Sequence, residues 1–125
     1  MGKETGLETA GREKALAIAR LALDKKAVSP VILEMGEITS FTDYFVICSG
    51  ESTTHVRTIA EYILEKLAGE GGPAPLKPIG VEGLRNARWV LLDFNDVVVH
   101  VFLPETRDFY QLEKLWLDAP RIPVC

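Results

Sequence analysis

The side chains that could do chemistry in this sequence are few and widely separated. Two histidines, His55 and His100, and two cysteines, Cys48 and Cys125, are the residues able to bind a transition metal strongly or to act as a soft nucleophile. No pair of them has the short spacing of zinc ligands, so we predict no structural metal. Cys48 alternates with apolar residues in a strand pattern, which predicts a buried thiol and disfavours an activated thiolate.

Three further arrangements could support catalysis or ligand binding. Ser49 ends a predicted strand before a helix, but the G-x-S-x-G pattern of a nucleophile elbow is absent. Residues 48–52 could hold an anion at that helix start, although the segment has one glycine and no Walker A or dinucleotide pattern. His100, Asp93 and Glu82 could form an acid/base group, the alternative being a surface imidazole beside two solvated acids. We therefore predict no catalytic residue and no cofactor.

The stretch that would carry several of these side chains is residues 89–102, WVLLDFNDVVVHVF. It reads as two short strands around an Asn95-Asp96 turn, in which Phe94 would pair with Val97. Counting outward, one face carries only hydrocarbon, on Val90, Leu92, Phe94, Val97, Val99 and Val101. The other face is mixed and carries Trp89, Leu91, Asp93, Val98, His100 and Phe102. The hypothesis is that the mixed face meets a partner, so that Trp89, Asp93 and His100 are dispensable for folding; a one-residue slip would exchange the faces.

The elements that position this hairpin alternate between helix and strand. Residues 9–27 carry an apolar stripe at helical spacing, residues 41–50 form a strand that is apolar on both faces, and residues 56–67 form a second striped helix. Pro104 opens a short C-terminal helical segment. These elements predict one α/β domain over residues 1–125, with a mixed five-stranded sheet flanked by helices and one parallel pair around the second helix. Residues 1–8 are predicted to be flexible and residues 119–125 to form an extended tail.

The length and composition limit the class of protein. The chain has 125 residues, 47% of them hydrophobic and 26% charged, with a net charge of −4. This acidity argues against non-specific binding to nucleic-acid backbones but suits a basic protein partner. The N-terminus lacks a signal sequence, no apolar run approaches a membrane span, and two cysteines suit a reducing cytosol. We therefore expect a cytoplasmic protein with no membrane association.

Specific nucleic-acid recognition is the remaining alternative for the mixed face. Trp89 and Phe102 could stack on bases, and Arg85, Arg88 and Arg107 could provide a basic rim. The nearby aspartates oppose this interpretation. An aromatic centre with a charged rim is more typical of a protein–protein hot spot.

Four segments, in order, resemble the ribosomal silencing factor family, also called RsfS or Iojap-like. They are TDYFVICSGESTTHVRTIAEYI, GVEG, WVLLDFNDVVVHVF and FYQLEKLWLDAP, within a family-like core at residues 28–120. The resemblance implies a non-enzymatic protein with a nucleotidyltransferase-like fold that lacks the catalytic acids; here Ser49-Gly50 is not followed by an Asp-x-Asp pair. The alternative is a residual nucleotidyltransferase that uses the junction at residues 49–52.

The resemblance also implies a partner and a surface. Family members bind the large ribosomal subunit through ribosomal protein fourteen at the subunit interface, block subunit joining and repress translation when nutrients run short; a minor contact with ribosomal RNA is compatible with this. The predicted partner-binding residues are Trp89, Leu91, Asp93, Asp96, Val98, His100, Tyr110, Glu113 and Trp116. A homodimer is also implied, with Phe109, Leu112 and Trp116 either in self-contacts or packed on the sheet. The family often has glycine where this chain has Asn95, which also tolerates a positive φ.

Overall fold

The described residues form one sheet of six strands in the order β3-β4-β5-β2-β1-β6. The computed structural model describes the backbone of residues 2–69 and 76–124 and the side chains of residues 11–69 and 76–124. The elements are α1 (Gly2–Asp24), β1 (Val28–Glu34), β2 (Tyr44–Ser49), α2 (Thr53–Ala68), β3 (Gly80–Glu82), β4 (Trp89–Asp93), β5 (Val97–Phe102), α3 (Pro104–Tyr110), α4 (Leu112–Leu115) and β6 (Arg121–Ile122). β2 and β5 are parallel and the other pairs are antiparallel. The predicted single α/β domain with a mixed sheet is confirmed.

The predicted count of five strands is wrong, because the C-terminal tail adds a sixth. Ile122 and Arg121 pair with Ile32 and Leu33 of β1. The carbonyl of Pro120 also accepts a hydrogen bond from the Glu34 amide at 2.8 Å. A two-residue strand between prolines has no alternation that could reveal it in the sequence, and an edge position tolerates residues that cannot donate.

β2 is the centre of the sheet, as its sequence predicts. All six of its residues are buried, with β5 on one side and β1 on the other. A strand between two neighbours with apolar side chains on both faces needs cover above and below. Other segments of the chain must therefore pack on both faces of the sheet.

One face of the sheet is covered by α1 and α2. The stripes of the two helices are buried as predicted, at Ala15, Ile18, Ala19, Ala22, Val56, Ile59, Ala60 and Ile63. The Ser52 side chain caps α2 by accepting a hydrogen bond from the His55 amide at 3.0 Å. α1 begins at Gly2, earlier than the predicted residue 9; the predicted flexibility of residues 1–8 and the core boundary at residues 28–120 stay predictions. Within the described residues, no helix has the length and apolarity to cross a membrane.

The turn between β4 and β5 places Asn95 in the left-handed region, at φ 79°. We expect Asn95→Gly to leave stability unchanged or slightly raised and Asn95→Ala to cost about 1 kcal/mol, because a Cβ without a compensating polar group is strained there. Urea unfolding of the two variants measures the difference. The same pair of substitutions at Asn86, whose φ is not positive, is the control. Equal unfolding midpoints for the two Asn95 variants would show that the turn imposes no strain.

Candidate functional site

The predicted hairpin register is confirmed at every pair. Trp89 lies opposite Phe102, Leu91 opposite His100 and Asp93 opposite Val98, while Val90 and Leu92 pair with Val101 and Val99. The hydrocarbon face packs against α1 and α2 in the larger of two core clusters. The mixed face therefore lies on the opposite side of the sheet, away from both long helices.

The mixed face is not an open surface, which corrects part of the sequence prediction. Val98 and His100 are buried, and Phe102 is fully so. Val98 and Phe102 belong to a second core cluster with Leu33, Met35, Phe45, Ile47 and Ala119, against which Leu112 and Trp116 pack from the C-terminal segment. The His100 ring contacts this cluster through Phe45 and Phe102. The physical reason lies in β2, because its second apolar face had to be covered and the C-terminal segment covers it.

His100 packs against this second core and is not the surface imidazole considered above. Its Nδ1 accepts a hydrogen bond from Trp89 Nε1–H at 3.1 Å, and its ring meets the Phe45 ring edge-on at 4.7 Å. Burial lowers the pKa of His100 to about 4. The ring is therefore neutral with its proton on Nε2, which finds no hydrogen-bond partner within the described part of the chain. The prediction that His100 is dispensable for folding is therefore replaced: we expect its loss to destabilise the second core cluster.

Trp89 connects this buried layer to the protein surface. The indole is half-buried, with its ring centroid 4.8 Å from that of Phe102 and 4.9 Å from that of Tyr110. Truncating Trp89 would remove this packing and leave His100 Nδ1 without its donor. Trp89 thus has both a folding role and a position from which a partner can be contacted, so it is a poor choice for testing binding alone.

The surface beyond Trp89 is apolar and aromatic. Phe109 is 79% exposed and Tyr110 53% exposed, and their rings meet edge to face at 5.0 Å. A cavity of about 380 Å³ opens beside them. We call it the aromatic pocket, and it is lined by Gly83, Asn86, Arg88, Trp89, Glu105, Thr106, Phe109 and Tyr110. Exposed rings around a concavity with a charged rim are typical of a protein-binding site.

A glycine shapes one wall of the aromatic pocket. Gly83 has a φ of +88°, and a Cβ added there would lie 2.1 Å from the Trp89 carbonyl oxygen. No side chain fits in that space. Gly83 is thus required for the close approach of the loop after β3 to the start of β4, which brings Trp89 to the pocket.

The acidic residues of the predicted site have partners within the chain. The Asp93 carboxylate accepts a hydrogen bond from the Asn95 amide at 2.8 Å and so closes the hairpin turn. Asp96 forms an ion pair with Lys14 of α1 at 2.7 Å. Glu113 forms one with Arg107 at 2.9 Å. These contacts give each acid an internal structural role; whether any of them also meets a partner stays a prediction.

The structure brings together only part of the predicted set. Trp89, Tyr110 and His100 form one continuous group of rings, whereas Asp96 lies against α1. Leu91 and Trp116 are partly buried against the second core cluster. Phe109 was considered for self-contacts or for packing on the sheet, and it lines the aromatic pocket. Its place at the pocket had no clear signal in the sequence, because tertiary contacts decide which side of such a short helix is covered.

The alternative chemical sites find no support in the geometry. Burial raises the pKa of the Cys48 thiol to about 12, with the positive charge of Arg107 opposing the shift, so the sulfur stays protonated. In the segment considered for an anion, the Glu51 amide donates to His55 Nδ1, and the Gly50 amide donates to the Phe102 carbonyl. His55 Nε2 in turn bonds the Lys25 carbonyl at 2.7 Å, which gives this histidine a structural role. In the described part of the chain no three His, Cys, Asp or Glu side chains cluster as a metal site would need.

The fold and this surface together define a small α/β domain with exposed aromatic rings beside a concave pocket. The model of the family described as ribosomal silencing factor during starvation matches residues 8–125, so the chain belongs to the ribosomal silencing factor (RsfS) family. A ribosomal silencing factor from Halalkalibacterium halodurans is 48% identical over 99 residues, covering 79% of this chain and 81% of that protein. A mouse protein, mitochondrial assembly of ribosomal large subunit protein 1, is 40% identical over 79 residues, covering 61% of this chain and 33% of that protein. A crystal structure from Chromobacterium violaceum superposes with a TM-score of 0.78 at 32% identity, covering 84% of each chain.

Proposed function

We propose that this protein binds the large ribosomal subunit through ribosomal protein fourteen, at the face that meets the small subunit, and thereby blocks subunit joining. Family membership supports a ribosomal role, and the name of the mouse relative refers to the large subunit. The observation that carries the proposal is the aromatic pocket with its exposed rings, Phe109 and Tyr110. Repression of translation follows from occupancy, and the family description links it to starvation.

The properties of the surface suit a basic ribosomal protein. The chain carries a net charge of −4, which favours encounter with a positively charged partner. Large rings at the centre of the contact supply apolar area, and Arg88 and Glu105 at the pocket wall can pair with polar groups at the rim. A minor contact with ribosomal RNA is compatible with Arg88 and with Arg85, which is exposed. We expect the protein to act in the cytoplasm, where the subunits meet.

The mechanism requires no bond to be made or broken. A domain seated on the joining face excludes the small subunit by volume alone, so the binding free energy is the only energy source needed. We therefore propose a non-enzymatic regulator. A residual nucleotidyltransferase is the less favoured alternative, since the amides of Gly50 and Glu51, which follow β2, are already paired within the chain.

A homodimer is a second, separable part of the proposal. Leu115 and Leu117 are 67% and 71% exposed in the C-terminal segment, while Leu112 and Trp116 of the same segment pack inward. Of the residues considered for self-contacts, Phe109 thus remains available. Multi-angle light scattering of the purified protein and of a Leu115→Ser, Leu117→Ser variant decides between monomer and dimer. A dimer mass for both proteins would place the interface elsewhere.

Sedimentation through a sucrose gradient tests the binding step. The purified protein is mixed with separated large and small subunits, and each gradient fraction is probed for it. We expect it to migrate with the large subunit and not with the small one, and we expect isolated ribosomal protein fourteen to compete for it. Migration with the small subunit, or a failure of ribosomal protein fourteen to compete, would contradict the proposed partner.

A further inference from the structure

The two helices that carry the exposed aromatic rings have little core of their own. Neither α3 nor α4 contains a buried residue, although Phe109, Tyr110 and Leu115 are displayed on them. Leu112 packs only partly against the second core cluster. Apolar burial within the helices therefore does not explain why the pocket wall holds one position, since short helices need tertiary contacts to persist.

Arg107 of α3 supplies the missing attachment. Its Nε donates to Glu113 at 2.9 Å, its Nη1 to the Ser49 hydroxyl at 2.8 Å and the Val28 carbonyl at 3.5 Å, and its Nη2 to the Ser29 carbonyl at 2.9 Å and Glu113 at 3.1 Å. These contacts use all five donors of the guanidinium. The side chain is only 12% exposed. Arg107 is therefore not available for the basic rim that the sequence suggested.

The backbone has a positive φ at both ends of this contact, at Gln111 and at Ser29. Gln111, between α3 and α4, has a φ of 48°, and this break allows Glu113 to return to Arg107. In an unbroken helix, residues six apart would point about 120° apart around the axis and would be separated by about 9 Å along it. On the sheet, β1 has a bulge between Val28 and Val31, and Ser29 has a φ of 51°. The carbonyls of Val28 and Ser29 at this irregularity are the ones that Arg107 binds.

We propose that the Arg107–Glu113 pair is a positioning clamp that presets the aromatic pocket for its partner, and that Glu113 acts within the chain and not as a partner contact. The clamp ties α3 to α4 and both to the sheet, so Phe109 and Tyr110 are held beside Trp89 before the partner arrives. This inference rests on the proposed function for its binding arm. If the clamp is lost, only a fraction of the molecules present the assembled pocket at any time. The apparent dissociation constant then equals the intrinsic one divided by that fraction.

Two conservative substitutions test the clamp: Arg107→Lys, which keeps the charge but cannot supply five donors, and Glu113→Gln, which keeps the shape. Arg121→Lys and Glu61→Gln, both at exposed positions, are the matched controls. We expect amide hydrogen exchange to accelerate in residues 104–117 of both clamp variants while β2 and β5 remain protected. Affinity for the large subunit should fall roughly tenfold, as expected if about a tenth of the molecules keep the pocket assembled.

The two measurements separate the possible failures. Unchanged exchange in residues 104–117 would overturn the clamp. Faster exchange with unchanged affinity would overturn its role in presenting the pocket. If Arg107→Lys unfolds the whole chain, Glu113→Gln decides the same question, because its partner keeps three other contacts. If the unmodified protein does not bind the large subunit, the proposed function fails, whereas exchange in the free protein still confirms or refutes the clamp.

Discussion

Tyr110→Ala is expected to weaken binding to the large subunit by roughly 30-fold, or about 2 kcal/mol, and to change the free energy of unfolding little. Tyr110 is 53% exposed and belongs to a helix that has no buried residue, so its removal leaves no cavity in either core cluster. It nevertheless packs on Trp89 at the aromatic pocket, where a partner would cover it. Titration of the labelled large subunit, alongside urea unfolding, measures both effects.

Tyr62→Ala is the matched control for this experiment. Tyr62 lies on α2, the helix on the opposite side of the sheet, where its ring faces the amino groups of Lys25 and Lys66. The same side chain is removed there from a surface that the proposal leaves free. An equal loss of affinity in both variants would mean that the effect is not local to the aromatic pocket.

Acidification is expected to destabilise the fold through His100. Its pKa is about 4 in the folded state, compared with the ordinary value of 6.5 when unfolded. Between these values the unfolded chain binds a proton that the folded chain does not, so stability falls as pH falls. Above pH 6.5 the group contributes no pH dependence, and below pH 4 its effect levels off. The expected loss across the window is about 3 kcal/mol, and urea unfolding at a series of pH values measures it.

His100→Asn isolates this contribution from that of the carboxyl groups, which also titrate at low pH. The Asn side-chain oxygen can accept the Trp89 hydrogen bond in place of Nδ1, but the group does not titrate. The difference between the two proteins should therefore vary with pH only between about 4 and 6.5. A constant difference across that range would show that His100 is not held neutral by the fold.

The sequence predicted those features that local periodicity encodes. The hairpin register followed from counting outward from Asn95-Asp96, and the buried stripe of α1 followed from helical spacing. The apolar residues on both faces of β2 correctly indicated a central strand with cover on both sides. The parallel pair followed from the strand–helix order, because a crossover connection favours it.

The features that the sequence did not reveal depend on contacts between distant residues. The burial of His100 depends on the C-terminal segment, whose Ala119 belongs to the second core cluster and whose Trp116 packs against it. In the sequence, Arg107 has the pattern of an exposed surface charge. Its contacts with Val28, Ser29 and Ser49, which lie far away in the chain, are visible only in the structure. In each case a polar residue in an apolar or irregular setting acquires its role from the tertiary structure.

The mixed face of the hairpin is largely covered within the protein. Its buried residues hold the candidate site in place from inside the protein. His100 accepts a hydrogen bond from the Trp89 indole, and Phe102 packs against the same ring. The surface available to a partner lies at one end of that face, where α3 adds Phe109 and Tyr110. Of the residues predicted to bind the partner, Trp89 and Tyr110 are therefore the two that line the aromatic pocket.

The most direct test of the central claim is the rate of subunit joining, followed by light scattering when small subunits are mixed with large subunits that already carry the protein. We expect the unmodified protein to suppress the rise in scattering at saturation, Tyr62→Ala to suppress it equally, and Tyr110→Ala to need a roughly 30-fold higher concentration for the same effect. Normal joining by large subunits that are demonstrably saturated with the protein would contradict the steric mechanism.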